Sequence, residues 1–194
     1  MRLSTRLGRL ALVASFALPA LGLAACDSNT DRPPRRAIVT AVQIDDGPLR
    51  DVNGNAWDGA GGGGPEIYFR LFYADTDFRT RPGDDVLNPR DDRFVVNTLD
   101  PAQPWVNDTE GIDFPLVWAV DGGFEVRDLQ ESYRVVLYDY DPTNEDDPMI
   151  STRTFTFAEA APDIADGRED TIVLDGVGAD ETLVRVRIRV VYES

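Results

Sequence analysis

From residue 37 onward, short apolar stretches rich in Val, Ile, Phe and Tyr are separated by clusters of Gly, Pro, Asn and Asp. Residues two apart share a face of an extended strand, so alternation on this scale predicts β-structure rather than helix. Eight strands are expected, over residues 37–44, 66–74, 93–98, 112–120, 133–139, 149–157, 171–174 and 183–192. The last alternates most regularly, with Val184, Val186, Ile188, Val190 and Tyr192 on one face and Arg185, Arg187 and Arg189 on the other. Those arginines are expected to pair with acidic neighbours on adjacent strands. Trp105 and Trp118, flanked by apolar strand residues, belong to the core or its edge. Residues 157–164 offer one helical turn or two. Short strands with almost no helix to cover them must bury one sheet against another. The expected fold is therefore all-β, an eight-stranded antiparallel β-sandwich forming one domain over residues 37–194.

The first residues follow another pattern. Arg2, Arg6 and Arg9 precede an apolar run over residues 10–20, which leads to Leu23-Ala24-Ala25-Cys26. That run is too short to cross about 30 Å of hydrocarbon, and the order of charged, apolar and small residues is that of an export signal. Its last four residues resemble the bacterial lipobox, which implies that Cys26 becomes the lipidated N-terminus of the mature chain. Residues 1–25 are then a lipoprotein signal peptide. Residues 26–36, polar and carrying two prolines, are the lipidated Cys and a flexible tether. The expected location is the cell envelope, with the protein anchored to a membrane and facing the periplasm or exterior. Cys26 is the sole cysteine, so no disulfide forms within the chain.

Composition narrows the chemistry. The 194 residues include 35 Asp and Glu against 19 basic residues, all Arg, with no His and no Lys. Without histidine, Ser-His-Asp, Cys-His and His-ligated metal chemistries are all removed. The formal net charge of −16 falls to −19 once the signal's three arginines are gone, and argues against nucleic acid, whose phosphates are bound mainly by Lys and Arg. An excess of acid on this scale suits a salty medium, where screening weakens self-repulsion. Catalysis would have to run on carboxylates alone, and no pair is nominated. The expectation is a non-enzymatic protein.

Two acidic loops carry more particular spacing. In the second, Asp139 and Asp141 project to one side of an extended segment and Asp147 can fold back toward them. Three converging carboxylates call for a cation, and calcium, which accepts six to eight oxygens in flexible geometry, is the natural one. The first loop begins at Asp51-Val52-Asn53-Gly54 and enters a strand at Pro65-Glu66-Ile67-Tyr68-Phe69. It lacks the twelfth-position Glu and flanking helices of an EF-hand.

Together the loops resemble those of the C2 domain, a β-sandwich found in protein kinase C, synaptotagmin and many lipid-binding proteins. The matching stretches are residues 51–54 and 65–69, Thr98-Leu99-Asp100-Pro101 with Pro104-Trp105-Val106-Asn107, the set Asp139, Asp141 and Asp147, and Met149-Ile150-Ser151 with Phe155. The resemblance implies a C2-like sandwich in the permuted connectivity that moves the initial strand to the C-terminus. It also implies Ca2+ held by Asp51, Glu66, Asp139, Asp141 and Asp147, and loops that bridge to anionic lipid or a protein partner. Trp57 and Met149 are the candidate contacts to membrane or partner. Glu66 stands where the family has Asp, Ile67 where it has Pro and Ile150 where it has Gly, and the lysines of its lipid-binding groove are missing. The alternative is a metal-free structural or interaction sandwich with an acidic, salt-adapted surface. Whether the loop carboxylates approach one another separates the two.

Overall fold

In the computed structural model, the strand Leu183–Glu193 buries every second residue, and Val184, Val186, Ile188, Val190 and Tyr192 are all at most 1% exposed. The structure describes residues 32–48, 50–51, 53–57, 64–74, 85–107, 114–143, 145–178 and 183–194. Cys26 and the expected export signal lie outside these described residues. Among the described residues there are nine strands: β1 (Arg36–Ile44), β2 (Ile67–Tyr73), β3 (Asp85–Leu87), β4 (Val95–Asn97), β5 (Leu116–Val126), β6 (Tyr133–Asp139), β7 (Asp147–Thr152), β8 (Glu169–Gly178) and β9 (Leu183–Glu193). A single helical turn, α1 (Phe157–Ala160), is capped by the Thr156 hydroxyl, which accepts from the Glu159 N–H.

The strands hydrogen-bond antiparallel in the order β3-β2-β6-β7-β8-β9-β1-β5-β4. Each layer has a face to bury, so the ribbon doubles back. The Phe69 ring of β2 meets Trp118 of β5 edge-on at 5.4 Å, and Ile67 bridges to Val106. The result is the expected all-β antiparallel sandwich around one hydrophobic core. β9 lies between β8 and β1, so the C-terminal strand takes the place beside the first, as the permuted connectivity requires. The outward arginines of β9 are paired as expected at two positions, Arg185 with Asp175 at 3.1 Å and Arg187 with Asp45 at 2.7 Å. Arg189 instead donates to the Gln43 amide oxygen.

Two departures from the expected strands have local causes. The added strand β3 is three residues long and presents too short an alternation to be read. β5 runs past residue 120 because it bulges rather than ends: Ala41 pairs with Ala119 while Val39 pairs with Phe124, leaving residues 120–123 as the excursion. β1 answers with its own extra residue at Thr40, which shifts its buried set from Ala37 and Val39 to Val42 and Ile44. Gly122 and Gly123 both sit at φ +74°, and a Cβ on Gly123 would fall 2.3 Å from the Ile38 Cγ2 atom. Ile38 is β-branched and cannot swing aside freely. Gly123→Ala is therefore expected to cost about 2–3 kcal/mol, against about 1 kcal/mol for Gly122→Ala, which meets only the backbone penalty. Urea unfolding midpoints of the two variants measure the difference.

Candidate functional site

Register places the loops. Ile44 pairs with Leu116 and Val186, and Ile67 pairs with Asp139, so the segments leaving β1 and β6 and entering β2, β5 and β9 all lie at one end of the sandwich. The five residues expected to bind calcium are at this loop end, but most serve local structure. Asp51 accepts the backbone N–H groups of Asn53 and Asn55 at 2.9 and 2.7 Å, and its other oxygen accepts both their side-chain amides. The Asn55 N–H above all holds the Asp51 carboxyl below its usual range, and Gly54 at φ +79° closes the turn. Asp139, 1% exposed, accepts the Glu66 N–H at 2.9 Å, while the Glu66 carbonyl accepts from the Tyr140 N–H. That exchange fastens the end of β6 to the entry of β2. Asp147 is exposed at the start of β7, directly across from Asp139. The Asp141 N–H donates to Asp146 at 3.1 Å.

Strand ends thus bring Glu66, Asp139 and Asp147 to neighbouring positions, and Asp51 is kept by its own turn. Among the described residues no three Asp, Glu or Cys side chains gather as a group able to hold a metal. The two expected contact residues are placed as follows. Met149 is 2% exposed, because it enters β7 on the core side of the strand. Trp57 is half-buried against the core, and its indole N–H donates to the Pro48 carbonyl at 3.2 Å.

The carboxylate that turns inward is Asp146, whose side chain is 7% exposed. It accepts from the Tyr68 hydroxyl and from the Arg90 guanidinium, and Arg70 lies 3.6 Å away. Tyr68 and Arg70 share the outer face of β2. Arg90 comes from a turn after β3 that Asn88 builds: its amide oxygen accepts the Arg90 N–H, and its own N–H donates to Asp92. Both guanidiniums also sit on ring faces. Arg70 is 4.8 Å from the centre of Tyr138 and 5.5 Å from Tyr68, and Arg90 is 4.7 Å from Tyr140 and 5.7 Å from Tyr68. Tyr140 in turn stacks on Trp105 at 3.9 Å. Burial, together with the bond to Asp146, pushes the Tyr68 phenol well above its ordinary range. Burial works against the Arg90 charge, but Tyr68 and Asp146 outweigh it and raise its pKa.

Sequence reasoning missed this cluster. Its one legible signal was the Glu145-Asp146-Asp147 run, in which the spacing to Asp139 points to Asp147 and passes over Asp146. The donor set that results is a carboxylate already neutralised by two fixed cations. That chemistry does not fit a calcium ion at Asp146.

No family model matches the chain, and no curated protein matches it in sequence. Among solved structures it is similar to a C2 domain of plant extended synaptotagmin 1, at 15% identity over 84% of this chain and 96% of that one, with a TM-score of 0.42. It is also similar to a C2 domain protein from Ramazzottius varieornatus, at 17% identity over 80% of this chain and 91% of that one, with a TM-score of 0.35.

Removing the central carboxylate leaves two guanidiniums facing each other, so Asp146→Ala is expected to lower stability by about 2–3 kcal/mol. Asp147→Ala, one residue on and exposed, should stay within about 0.5 kcal/mol on the same denaturation curve. The cluster also sets a pH limit. A phenol whose pKa is raised by folding contributes stability that is complete below its unfolded value of 10.0 and is lost as pH climbs beyond it. Tyr192 shifts the same way and Tyr133 is pushed up to about 12. The melting temperature should therefore fall steeply above pH 10, and less steeply in Tyr68→Phe.

Proposed function

We propose that the protein is an envelope lipoprotein, anchored through Cys26, whose C2-like domain is a non-enzymatic interaction module with a loop end braced by arginine. The observation that carries this reading is the placement of Asp146 between Arg70, Arg90 and the Tyr68 hydroxyl. A loop-bound cation would screen clustered carboxylates and stiffen the loops; at Asp146 two guanidiniums already do both. The anchor rests on the order of residues 2–26, in which the sole Cys follows Leu23-Ala24-Ala25. The acidic surface supports solubility in salt and disfavours anionic partners.

The calcium-dependent form of the module differs in one measurable respect. A ligand that binds only the folded state raises the unfolding midpoint by mass action. For the detergent-solubilised full chain, the midpoint should be the same in millimolar calcium and in chelator. A rise with calcium that disappears in Asp139→Asn would instead restore the five-carboxylate site. The anchor is tested separately by labelled palmitate, which should enter the wild-type chain and not Cys26→Ala.

A further inference from the structure

The first acidic loop carries the sole Asn-Gly pair of the chain, Asn53-Gly54, and both residues are exposed. Such a pair is chemically labile for a steric reason. With no Cβ on the glycine, the carbon of the Asn side-chain amide can reach the next main-chain nitrogen and close a succinimide ring. Here one residue holds both reacting groups. The Asn53 side-chain amide donates to an Asp51 carboxylate oxygen at 3.4 Å, and the Gly54 N–H donates to the Asp51 carbonyl at 2.9 Å. The main-chain N–H groups of Asn53 and Asn55 and the Asn55 side-chain amide donate to the same carboxylate, and the Asp51 N–H donates back to the Asn55 carbonyl at 3.0 Å. The electrophilic amide is thereby turned toward Asp51, and the nucleophilic nitrogen keeps its proton in a hydrogen bond. The Asp51 carboxyl, held below its usual range by the Asn55 N–H above all, adds a negative charge that opposes loss of that proton.

We propose that Asn53-Gly54 is a self-modifying site of the folded protein, kept intact by the Asp51 turn and converted when that turn opens. The Gly54 nitrogen gives its proton to base in the solvent and bonds to the Asn53 Cγ atom. The Cγ–Nδ2 bond breaks, and Nδ2 takes a proton from water and leaves as ammonia. Water then opens the ring. Addition at Cγ breaks the new bond and leaves aspartate, whereas addition at the main-chain carbonyl breaks the original peptide bond and leaves isoaspartate. Neither product restores the turn. Each places a carboxylate where the Asn53 amide donated to Asp51, and like charges at that distance repel. Isoaspartate also lengthens the main chain, so the N–H groups of Gly54 and Asn55 no longer meet Asp51 together. The modified loop then presents two carboxylates that no turn occupies, in place of one that is spent.

The test incubates the detergent-solubilised full chain in mildly alkaline buffer. Trypsin then releases the peptide between Arg50 and Arg70, whose gain in mass and methylation by an isoaspartate-specific methyltransferase report conversion of Asn53. Native wild type is expected to convert at least about tenfold more slowly than the same chain unfolded in urea, because hydrogen bonds to a charged acceptor must open first. Asp51→Ala, still folded by circular dichroism, should approach the unfolded rate. A wild-type rate equal to the unfolded one, or a folded Asp51→Ala that converts no faster than wild type, overturns the proposal. A further measurement needs no variant. Opening of the turn alone exposes little surface, so the wild-type rate should stay nearly flat in urea below the unfolding midpoint. A rate that instead follows the unfolded fraction shows that the folded protein does not modify itself, and the proposal fails.

Discussion

One carboxylate holds the loop end together. Asp146 is nearly buried, and a charge in that position is tolerable only because Arg70, Arg90 and the Tyr68 hydroxyl meet it. The partners come from two other places in the chain, so the contact ties the β6–β7 loop to the outer face of β2 and to the turn that Asn88 builds after β3. The arginines are held in turn by the rings of Tyr68, Tyr138 and Tyr140. From Tyr140 the packing passes to Trp105. The next aromatic inward, Trp118, donates to the Pro104 carbonyl and meets Phe69 across the core. A surface loop is thereby connected to both layers of the sandwich.

This arrangement separates two properties that the spacing of the acidic loops joins together. Their number of carboxylates suggests a cation site, yet a carboxylate with a full set of N–H donors, as Asp51 has, is already spent on its own turn. Asp139 is likewise committed to the strand entry at Glu66. Rigidity at the loop end thus comes from within the protein, and the excess charge is left to act as surface. The two ends of the sandwich differ in what they hold, the acidic loops at one and the docked segment from Arg32 to Arg36 at the other.

Most strands were legible because their burial alternates with period two, and β9, inward at Val184 through Tyr192, is the plainest case. β3 was not, being three residues at an edge with no alternation to read. β5 was cut short because Asp121-Gly122-Gly123 looks like a turn, whereas here it is a bulge that β1 accommodates. The candidate site was less legible than the fold. Counting from Asp139 favoured Asp147, although the pleat leaves Asp147 exposed and its neighbour turned in. Nothing near Arg70 or Arg90 in the chain signals that they share a partner.

The residues alone determined the all-β class, the core face of each regular strand, the absence of histidine and lysine chemistry and the lipobox-like order at Cys26. These follow from composition and from local periodicity, which a single stretch of chain expresses by itself. Which carboxylate is buried, which cations neutralise it and which end of the sandwich receives the tether depend on contacts between segments far apart in sequence, such as Arg90 with Asp146 and Arg32 with Ala165. Desolvation acts on a charge only once other segments enclose it, so the tertiary structure decided these.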